Sequence, residues 1–224
     1  YNQAEIISRE LRKIPGLQVY EHRAGGSGII AVMRGGKGAG KTVLMRADID
    51  ALPIEEKTDC GYRSMNPGRM HACGHDGHAA WLIGAAKLLS LTREEWGGCI
   101  KFVFQPGEEI GKGADILIGE DKVLEDPPVD MAFAAHGWPS IENGRIGIAR
   151  RCAFGCVGSF RVKITGQKGH ASWPEQTVDP IAAANEVYQH IPAILARKIG
   201  GTASKVMSVT YMQAGDPKVR NIIP

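Results

Sequence analysis

The sequence lacks any long hydrophobic run and any strong excess of charge of one sign. Its apolar runs are only a few residues long, as in Ile29–Met33, whereas a membrane-spanning helix needs about 20 residues. The 27 Lys and Arg residues against 24 Asp and Glu residues give a net charge of +3, evenly spread along the chain. This small excess does not indicate nucleic-acid binding. We therefore expect a protein that binds neither membranes nor nucleic acid.

The sequence also lacks the signals of a disulfide framework and of export. It has five cysteines, an odd number, and none are spaced as CxxC. This usage is typical of free thiols in a reducing compartment. The chain begins at Tyr1 without a basic segment followed by an apolar one, so we expect no signal peptide. These features predict a cytoplasmic protein.

The composition that remains is that of a globular protein. Hydrophobic residues make up 43% and charged residues 23%, which excludes a disordered tail, a collagen and a coiled coil. With 224 residues, we expect one large domain or one and a half. The 29 glycines exceed the average share and indicate many tight turns.

Strands alternate with helices over the first 150 residues, which predicts a three-layer α/β domain. The predicted elements are a helix over 1–13, strands over 17–23, 28–34 and 42–47, a helix over 77–91, a strand over 99–104, a helix over 113–119 and a buried strand over 129–135. A long loop covers 48–76, and long loops in compact domains are often functional. An Asn-Gly pair within 141–146 predicts a hairpin.

The pattern changes near residue 157, where a smaller α+β domain is predicted to begin. Residues 159–165 alternate between apolar and polar, as in a strand with one face exposed to solvent. A helix is predicted over 179–198, which Pro192 would kink or interrupt, and another strand over 205–213. We therefore assign 1–156 to the first domain and 157–224 to part of a second.

Gly35–Thr42 fits the GxxxxGK[ST] pattern of a phosphate-binding loop. In such a loop the backbone amides hold phosphate at the start of a helix. Here the following residues, Thr42–Ala47, favour a strand, so we expect a glycine-rich hairpin turn without nucleotide. A P-loop nucleotidase remains an alternative, which a helix from Gly40 onward would favour.

Three of the seven histidines fall within residues 71–78, which read His-Ala-Cys-Gly-His-Asp-Gly-His. In an extended segment, side chains at i and i+2 point the same way, so Cys73 and His75 can face one centre. Thiolate and imidazole ligands suit Zn²⁺ and similar divalent ions. This stretch therefore predicts a metal site.

Two further stretches place ligand-type groups directly after predicted strands. Glu108 and Glu109 follow the strand over 99–104, and His136 follows the strand over 129–135. Open α/β sheets usually carry their sites at the carboxyl ends of strands. Adjacent carboxylates cannot easily reach the same atom, so one can bind metal while the other takes a proton from water that the metal has acidified.

Together these motifs resemble the dinuclear-metal amidohydrolases of the aminoacylase and carboxypeptidase G clan. The branch most similar contains hippurate hydrolase and the indole-3-acetyl-amino-acid hydrolases of plants. The resemblance covers almost the whole chain and is carried by residues 46–53, 70–78, 105–109, His136 and 166–172. It implies a three-layer α/β/α zinc-peptidase-like catalytic domain and a smaller α+β lid domain that forms a homodimer. The implied reaction is metal-dependent hydrolysis of the amide bond in N-acyl amino acids or related small amides.

The resemblance also implies roles for single residues. Four of them would bind two divalent ions, Zn²⁺ or Mn²⁺: Cys73, which would bridge the ions, His75, Glu109 and His136. Glu108 would be the general base that takes a proton from the attacking water and returns it to the leaving amine. Asp48 would lie near the metals. In the lid, His170 would stabilise the oxyanion and Asn221 would contact the substrate.

The sequence departs from the family in two respects. Relatives carry a further metal-binding histidine near the C-terminus, whereas no histidine follows His190 here, and the lid stops about halfway. We therefore expect an incomplete two-metal site, a fragment of a longer protein, and little activity from this chain alone. The second alternative function is a catalytically inactive oligomerisation module, which would bind metal without hydrolysing amides.

Overall fold

The structure is a computed structural model that describes residues 2–150, 152–200 and 205–224. The chain divides into two compact units, one ending at Arg145 and the other starting at Ile146. The assignment of 1–156 as a catalytic domain and 157–224 as a lid domain stays a prediction. No helix in the described ranges has both the length and the apolar character needed to cross a membrane.

The first unit confirms the predicted alternation of strands and helices. Its elements are α1 (Asn2–Leu11), β1 (Leu17–Arg23), β2 (Gly28–Arg34), β3 (Thr42–Asp48), α2 (His75–Leu91), β4 (Cys99–Gln105), α3 (Gly113–Gly119) and β5 (Met131–Ala134). Helix α2 begins two residues before the predicted start at Gly77, so His75 belongs to its first turn.

The five strands form one mixed sheet in the order β1-β2-β4-β3-β5. β1, β2 and β4 pair antiparallel, whereas β3 pairs parallel with both β4 and β5. Parallel strands need crossover connections, which α2 provides from β3 to its neighbour β4 and α3 provides from β4 past β3 to β5. The carboxyl ends of β3, β4 and β5 therefore lie at the same edge of the sheet.

Side chains alternate between two apolar clusters, one on each face of the sheet. The cluster shared with α1 and α2 includes Leu11, Ile29, Ala31, Met33, Leu82, Phe102 and Phe104. The cluster shared with α3 includes Ile30, Val32, Val103 and Leu117. Helices thus cover both faces, which confirms the three-layer α/β architecture.

Two expectations about β5 and its surroundings are wrong. β5 is exposed along its whole length rather than buried, because it lies at the sheet edge beside β3. Residues 142–145 do form a turn, in which the Arg145 N–H donates to the Glu142 carbonyl at 3.1 Å. No strand flanks that turn in the described part of the chain, so the predicted hairpin is not formed.

The segment Gly35–Thr42 is a turn and not the start of a helix, which argues against a phosphate-binding loop. It is not a hairpin either, because β4 lies between β2 and β3. Two of its amides are already used, since Gly36 donates to the Arg93 carbonyl at 2.8 Å and Lys37 to the Trp96 carbonyl at 3.1 Å. The Lys41 ammonium pairs with Asp130 at 2.6 Å. The P-loop nucleotidase alternative is therefore not favoured.

The second unit contains β6 (Gly169–His170), α4 (Pro180–Lys198) and β7 (Ile222–Ile223). β6 and β7 pair antiparallel. Asp179 caps α4, since its Oδ1 accepts the Ile181 N–H at 2.8 Å, and Pro192 does not end the helix. The strands predicted over 159–165 and 205–213 are not formed, because alternation makes a strand only where a partner strand pairs with it.

Candidate metal centre

The three stretches of predicted ligands meet at one edge of the sheet in the first unit. They follow the carboxyl ends of β3, β4 and β5, which run parallel. Among the described residues, potential ligand atoms lie within 4.8 Å of one another in three groups: Cys73 with His75 and His136, His75 with Glu108 and Glu109, and Asp48 with His75 and His78. The predicted ligands and the predicted base are therefore brought together around His75.

Gly74 shapes the turn that presents Cys73 and His75. Its φ of +84° lies in the left-handed region, which glycine adopts without the steric cost that a side chain brings. The chain then enters α2 at His75. Cys73 and His75 thus face one centre through a glycine turn, and not through the extended segment that the i and i+2 spacing suggested.

The His75 ring is held in one tautomer, with a buried nitrogen facing the acidic groups. Its Nδ1 lies 3.0 Å from the Asp50 carbonyl oxygen, and because a carbonyl only accepts, Nδ1 carries the proton. Nε2 is buried and has no hydrogen-bond partner among the described residues. It lies 3.7 Å from Asp48, 3.8 Å from Glu109 and 4.0 Å from Glu108.

The buried lone pair of the His75 Nε2, which faces these carboxylates, is therefore costly unless a cation lies between them.

Cys73 and His136 form the other side of this cluster. The Cys73 Sγ lies 3.5 Å from the His136 Nε2, and His136 donates from Nδ1 to the Gly137 carbonyl at 2.7 Å. Burial, and then the negative charges of Glu109, Glu108 and Asp48, raise the pKa of the Cys73 thiol. A divalent cation would offset this negative field and bind the thiolate, so the donor set fits such an ion.

Asp50 connects the ligands that follow β4 to His75. Its carbonyl accepts from the His75 ring, and its Oδ2 accepts the Glu109 N–H at 3.0 Å. The loop after β4 is also tight, because a Cβ on Gly113 would collide with the Pro106 carbonyl oxygen. On this loop the Glu108 side chain is 41% exposed and the Glu109 side chain 25% exposed. Their division into a base and a ligand stays a prediction.

Asp48 lies beneath the cluster and is 1% exposed. It accepts from His78 Nδ1 at 2.6 Å and from Arg46 Nη1 at 2.9 Å. Burial raises the pKa of this carboxyl, but the His78 hydrogen bond and the Arg46 charge together bring it below the ordinary value. Asp48 is therefore a carboxylate fixed near the predicted ligands, as the resemblance implies.

Asp50 and His78, for which the sequence predicts no individual role, both contact this cluster. A signal for His78 was present, since its spacing of three residues from His75 places both on one face of α2. A weaker signal for Asp50 was its position directly after the end of β3.

The two predicted substrate contacts lie together in the second unit. His170 pairs with Ile222 across β6 and β7, and the Ala171 N–H donates to the Asn221 carbonyl at 2.9 Å. The His170 Nδ1 accepts the Ser172 N–H at 3.2 Å, so the neutral ring carries its proton on Nε2. Exposed His170 can thus act as a donor.

Comparisons with known proteins point to one family. The sequence profile of Peptidase family M20/M25/M40 matches residues 44–222. N-acetylcysteine deacetylase of Bacillus subtilis (strain 168) is 40% identical over 198 residues, which are 88% of this chain and 50% of that protein. Hippurate hydrolase of Campylobacter jejuni is 34% identical over 221 residues, 99% of this chain and 56% of that protein.

A solved structure of similar fold is that of a dinuclear metal-binding peptidase of the M20 family from Bacillus subtilis. It is 32% identical, with a TM-score of 0.66, and the match covers 99% of this chain and 55% of that chain. This chain therefore spans about half the length of the relatives that it matches.

Proposed function

We propose, since the chain belongs to peptidase family M20/M25/M40, that it carries the metal centre of a hydrolase acting on N-acyl amino acids or related small amides. The observation that carries the proposal is the buried, unpartnered Nε2 of His75 among the described residues, facing a thiol and carboxylates. Two relatives are named for N-acetylcysteine and for hippurate, which are both N-acyl amino acids, and this supports the substrate class.

The proposed ligands of two divalent ions are Cys73, His75, Glu109 and His136. Thiolate and imidazole favour Zn²⁺, while carboxylates also suit Mn²⁺. Bound ions of this kind supply Lewis acidity, which polarises the amide carbonyl and acidifies the attacking water.

The residues of the chain would divide the remaining work. Glu108, whose Oε2 lies 4.0 Å from the His75 Nε2, would accept a proton from water and return it to the leaving amine. The Nδ1–H donors of His75 and His136 keep both rings oriented, with Nε2 towards the centre. We further propose that the Nε2–H of His170 stabilises the oxyanion and that Asn221 contacts the substrate.

We also propose that residues 157–224 form a homodimer contact and that the protein works in the cytoplasm. Helix α4 exposes apolar side chains, among them Val187, Tyr188 and Ile194, and large exposed apolar patches are typical of interaction surfaces. The odd number of cysteines and the absence of a CxxC spacing support a reducing compartment.

The function is tested by measuring bound metal and amide hydrolysis on the same samples, using this chain and any longer protein that contains it. N-acetylcysteine and hippurate are suitable first substrates. We expect a chelator to abolish hydrolysis and added Zn²⁺ or Mn²⁺ to restore it. Hydrolysis that a chelator leaves intact would contradict the proposal. Stoichiometric metal without hydrolysis of any N-acyl amino acid, even in the longer protein with the missing C-terminal half restored, would favour the inactive oligomerisation module.

The matched variants are Glu108→Gln and Glu109→Ala. Glu108→Gln should retain bound metal but lower kcat by about 10²–10⁴-fold, the usual contribution of a general base. Glu109→Ala should lose metal. Unchanged kcat in Glu108→Gln would refute the role of its carboxylate in proton transfer.

A further inference from the structure

Both ring nitrogens of His78 are occupied by hydrogen bonds. Its Nε2 accepts the Gly137 N–H at 2.8 Å, so this nitrogen carries no proton. The Nδ1 of the neutral ring therefore carries the proton and donates to Asp48 at 2.6 Å. Although Asp48, His75 and His78 lie close enough to hold an ion, neither nitrogen of His78 is available as a ligand.

Through these two bonds His78 links three separate parts of the first unit. It lies on α2 with 2% exposure, Asp48 ends β3, and Gly137 follows the exposed edge strand β5. The Gly137 nitrogen belongs to the peptide bond that it shares with His136. Fixing this N–H therefore fixes the peptide plane next to His136.

Gly137 in turn orients the His136 ring. Its carbonyl accepts from the His136 Nδ1 at 2.7 Å, and the opposite nitrogen of that ring lies 3.5 Å from the Cys73 sulfur. The rings of His78 and His136 also pack edge to face, with centroids 4.5 Å apart. The path from Asp48 through His78 and Gly137 thus ends at a predicted ligand atom.

We propose that His78 is a positioning residue that holds Gly137 so that His136 presents Nε2 to the metal centre. The inference rests on the proposed function only in requiring that this centre binds a divalent ion. Partners that orient a ligating histidine typically change metal affinity by about 10–100-fold when removed. His78 itself touches no ion. Metal affinity should therefore fall in variants that lack the hydrogen bond to Gly137, and not simply because the imidazole ring is removed.

The experiment uses Co²⁺ as the probe, because its thiolate charge-transfer absorption reports binding to Cys73. Two variants separate the two bonds of His78. In His78→Gln the side-chain oxygen can reach the Nε2 position and accept from Gly137. In His78→Asn the amide can donate to Asp48 but is too short to reach Gly137.

We expect His78→Ala and His78→Asn to weaken Co²⁺ binding by about 10–100-fold, and His78→Gln to bind more tightly than either. Thermal unfolding is measured in parallel. His190→Asn, on exposed α4, is the control and should bind Co²⁺ as the unaltered chain does.

If all the folded His78 variants bind Co²⁺ as tightly as the unaltered chain does, the inference is overturned, while the proposed function stands. Equal losses in Asn and Gln, whatever their melting temperatures, would also overturn it, since the bond to Gly137 would then not be what matters. A thiolate band absent from the unaltered chain, or retained in Cys73→Ser, would instead overturn the proposed metal centre. If His78→Ala fails to fold, the Asn and Gln pair decides.

Discussion

At the scale of single residues, the candidate centre depends on small backbone features beside the ligands. His75 and His136 each donate from Nδ1 to a backbone carbonyl, which fixes the tautomer and leaves Nε2 for the centre. Gly74 similarly sets the direction in which Cys73 and His75 point. Ligand identity alone would not produce this geometry.

Gly74→Ala tests that dependence. A side chain in the left-handed region costs about 1–2 kcal/mol, so this variant should unfold at lower denaturant and bind Co²⁺ more weakly. Gly84→Ala is the matched control, because an added Cβ there would meet nothing within 4 Å. Because Gly84 lies in the interior of α2, Gly84→Ala should instead stabilise the protein by about 0.5–1 kcal/mol. Denaturant unfolding with a Co²⁺ titration measures both, and a neutral Gly74→Ala would contradict the role of the turn.

The residues that orient the ligands were the hardest part of the site to predict. Cys73, His75, Glu109 and His136 belong to recognisable local motifs, and the structure brings them together. Asp50 and His78 act through a backbone carbonyl and through the N–H of a residue that is distant in sequence. Such contacts exist only once the strands have been placed side by side, so a local pattern can place Asp50 and His78 near the ligands but cannot reveal which groups they contact.

At the scale of elements, β4 is the most buried strand and carries a lysine within the apolar core. Lys101 is 2% exposed, and its Nζ donates to the Val123 carbonyl at 2.7 Å. Burial lowers the pKa of this ammonium group, since the charged form loses its hydration. The folded state therefore binds the Lys101 proton less tightly than the unfolded state does.

This difference predicts a pH-dependent stability. Between the lowered folded pKa and the ordinary value of about 10.4, the unfolded chain holds more protons, so the free energy of unfolding should rise with pH. Lys101→Met should remove this rise. Lys37→Met, on the exposed turn before β3, should leave it in place. Denaturant unfolding over the alkaline range measures the slope, and an unchanged slope in Lys101→Met would contradict the assignment.

Elements whose identity depends on local periodicity were predicted well, and those that depend on a partner were not. The apolar face of α2 and the mostly apolar run of β4, which only Lys101 interrupts before Gln105, are visible in the sequence. The residues 159–165 alternate as a strand would, yet have no partner to pair with. β5 was expected to be buried, but its apolar sequence cannot reveal that it lies at the sheet edge.

At the scale of the whole molecule, the two units differ in how well they bury apolar side chains. The first has a continuous core on both faces of its sheet. The described part of α4 in the second has no buried residue. Val187, Tyr188 and Ile194 are 42%, 53% and 54% exposed. This contrast is the basis for the proposed homodimer.

Val187→Asp should therefore convert a dimer to a monomer, because it places a charge in an apolar contact. Gln189→Asp, an exposed neighbour on α4, adds the same charge outside the apolar set and should leave the mass unchanged. Sedimentation velocity or light scattering gives the mass directly. If the unaltered chain is monomeric at high concentration, the proposed homodimer is contradicted.

The exposed strand β5 has a practical consequence for handling the protein. Among the described residues it pairs only with β3, so its outer side presents backbone N–H and C=O groups that can template a further strand. Because β5 ends two residues before His136, sheet extension at this edge would stiffen the segment that bears a proposed ligand. We therefore expect concentrated preparations to aggregate through this edge, close to the proposed metal ligands, and light scattering should accompany each metal titration.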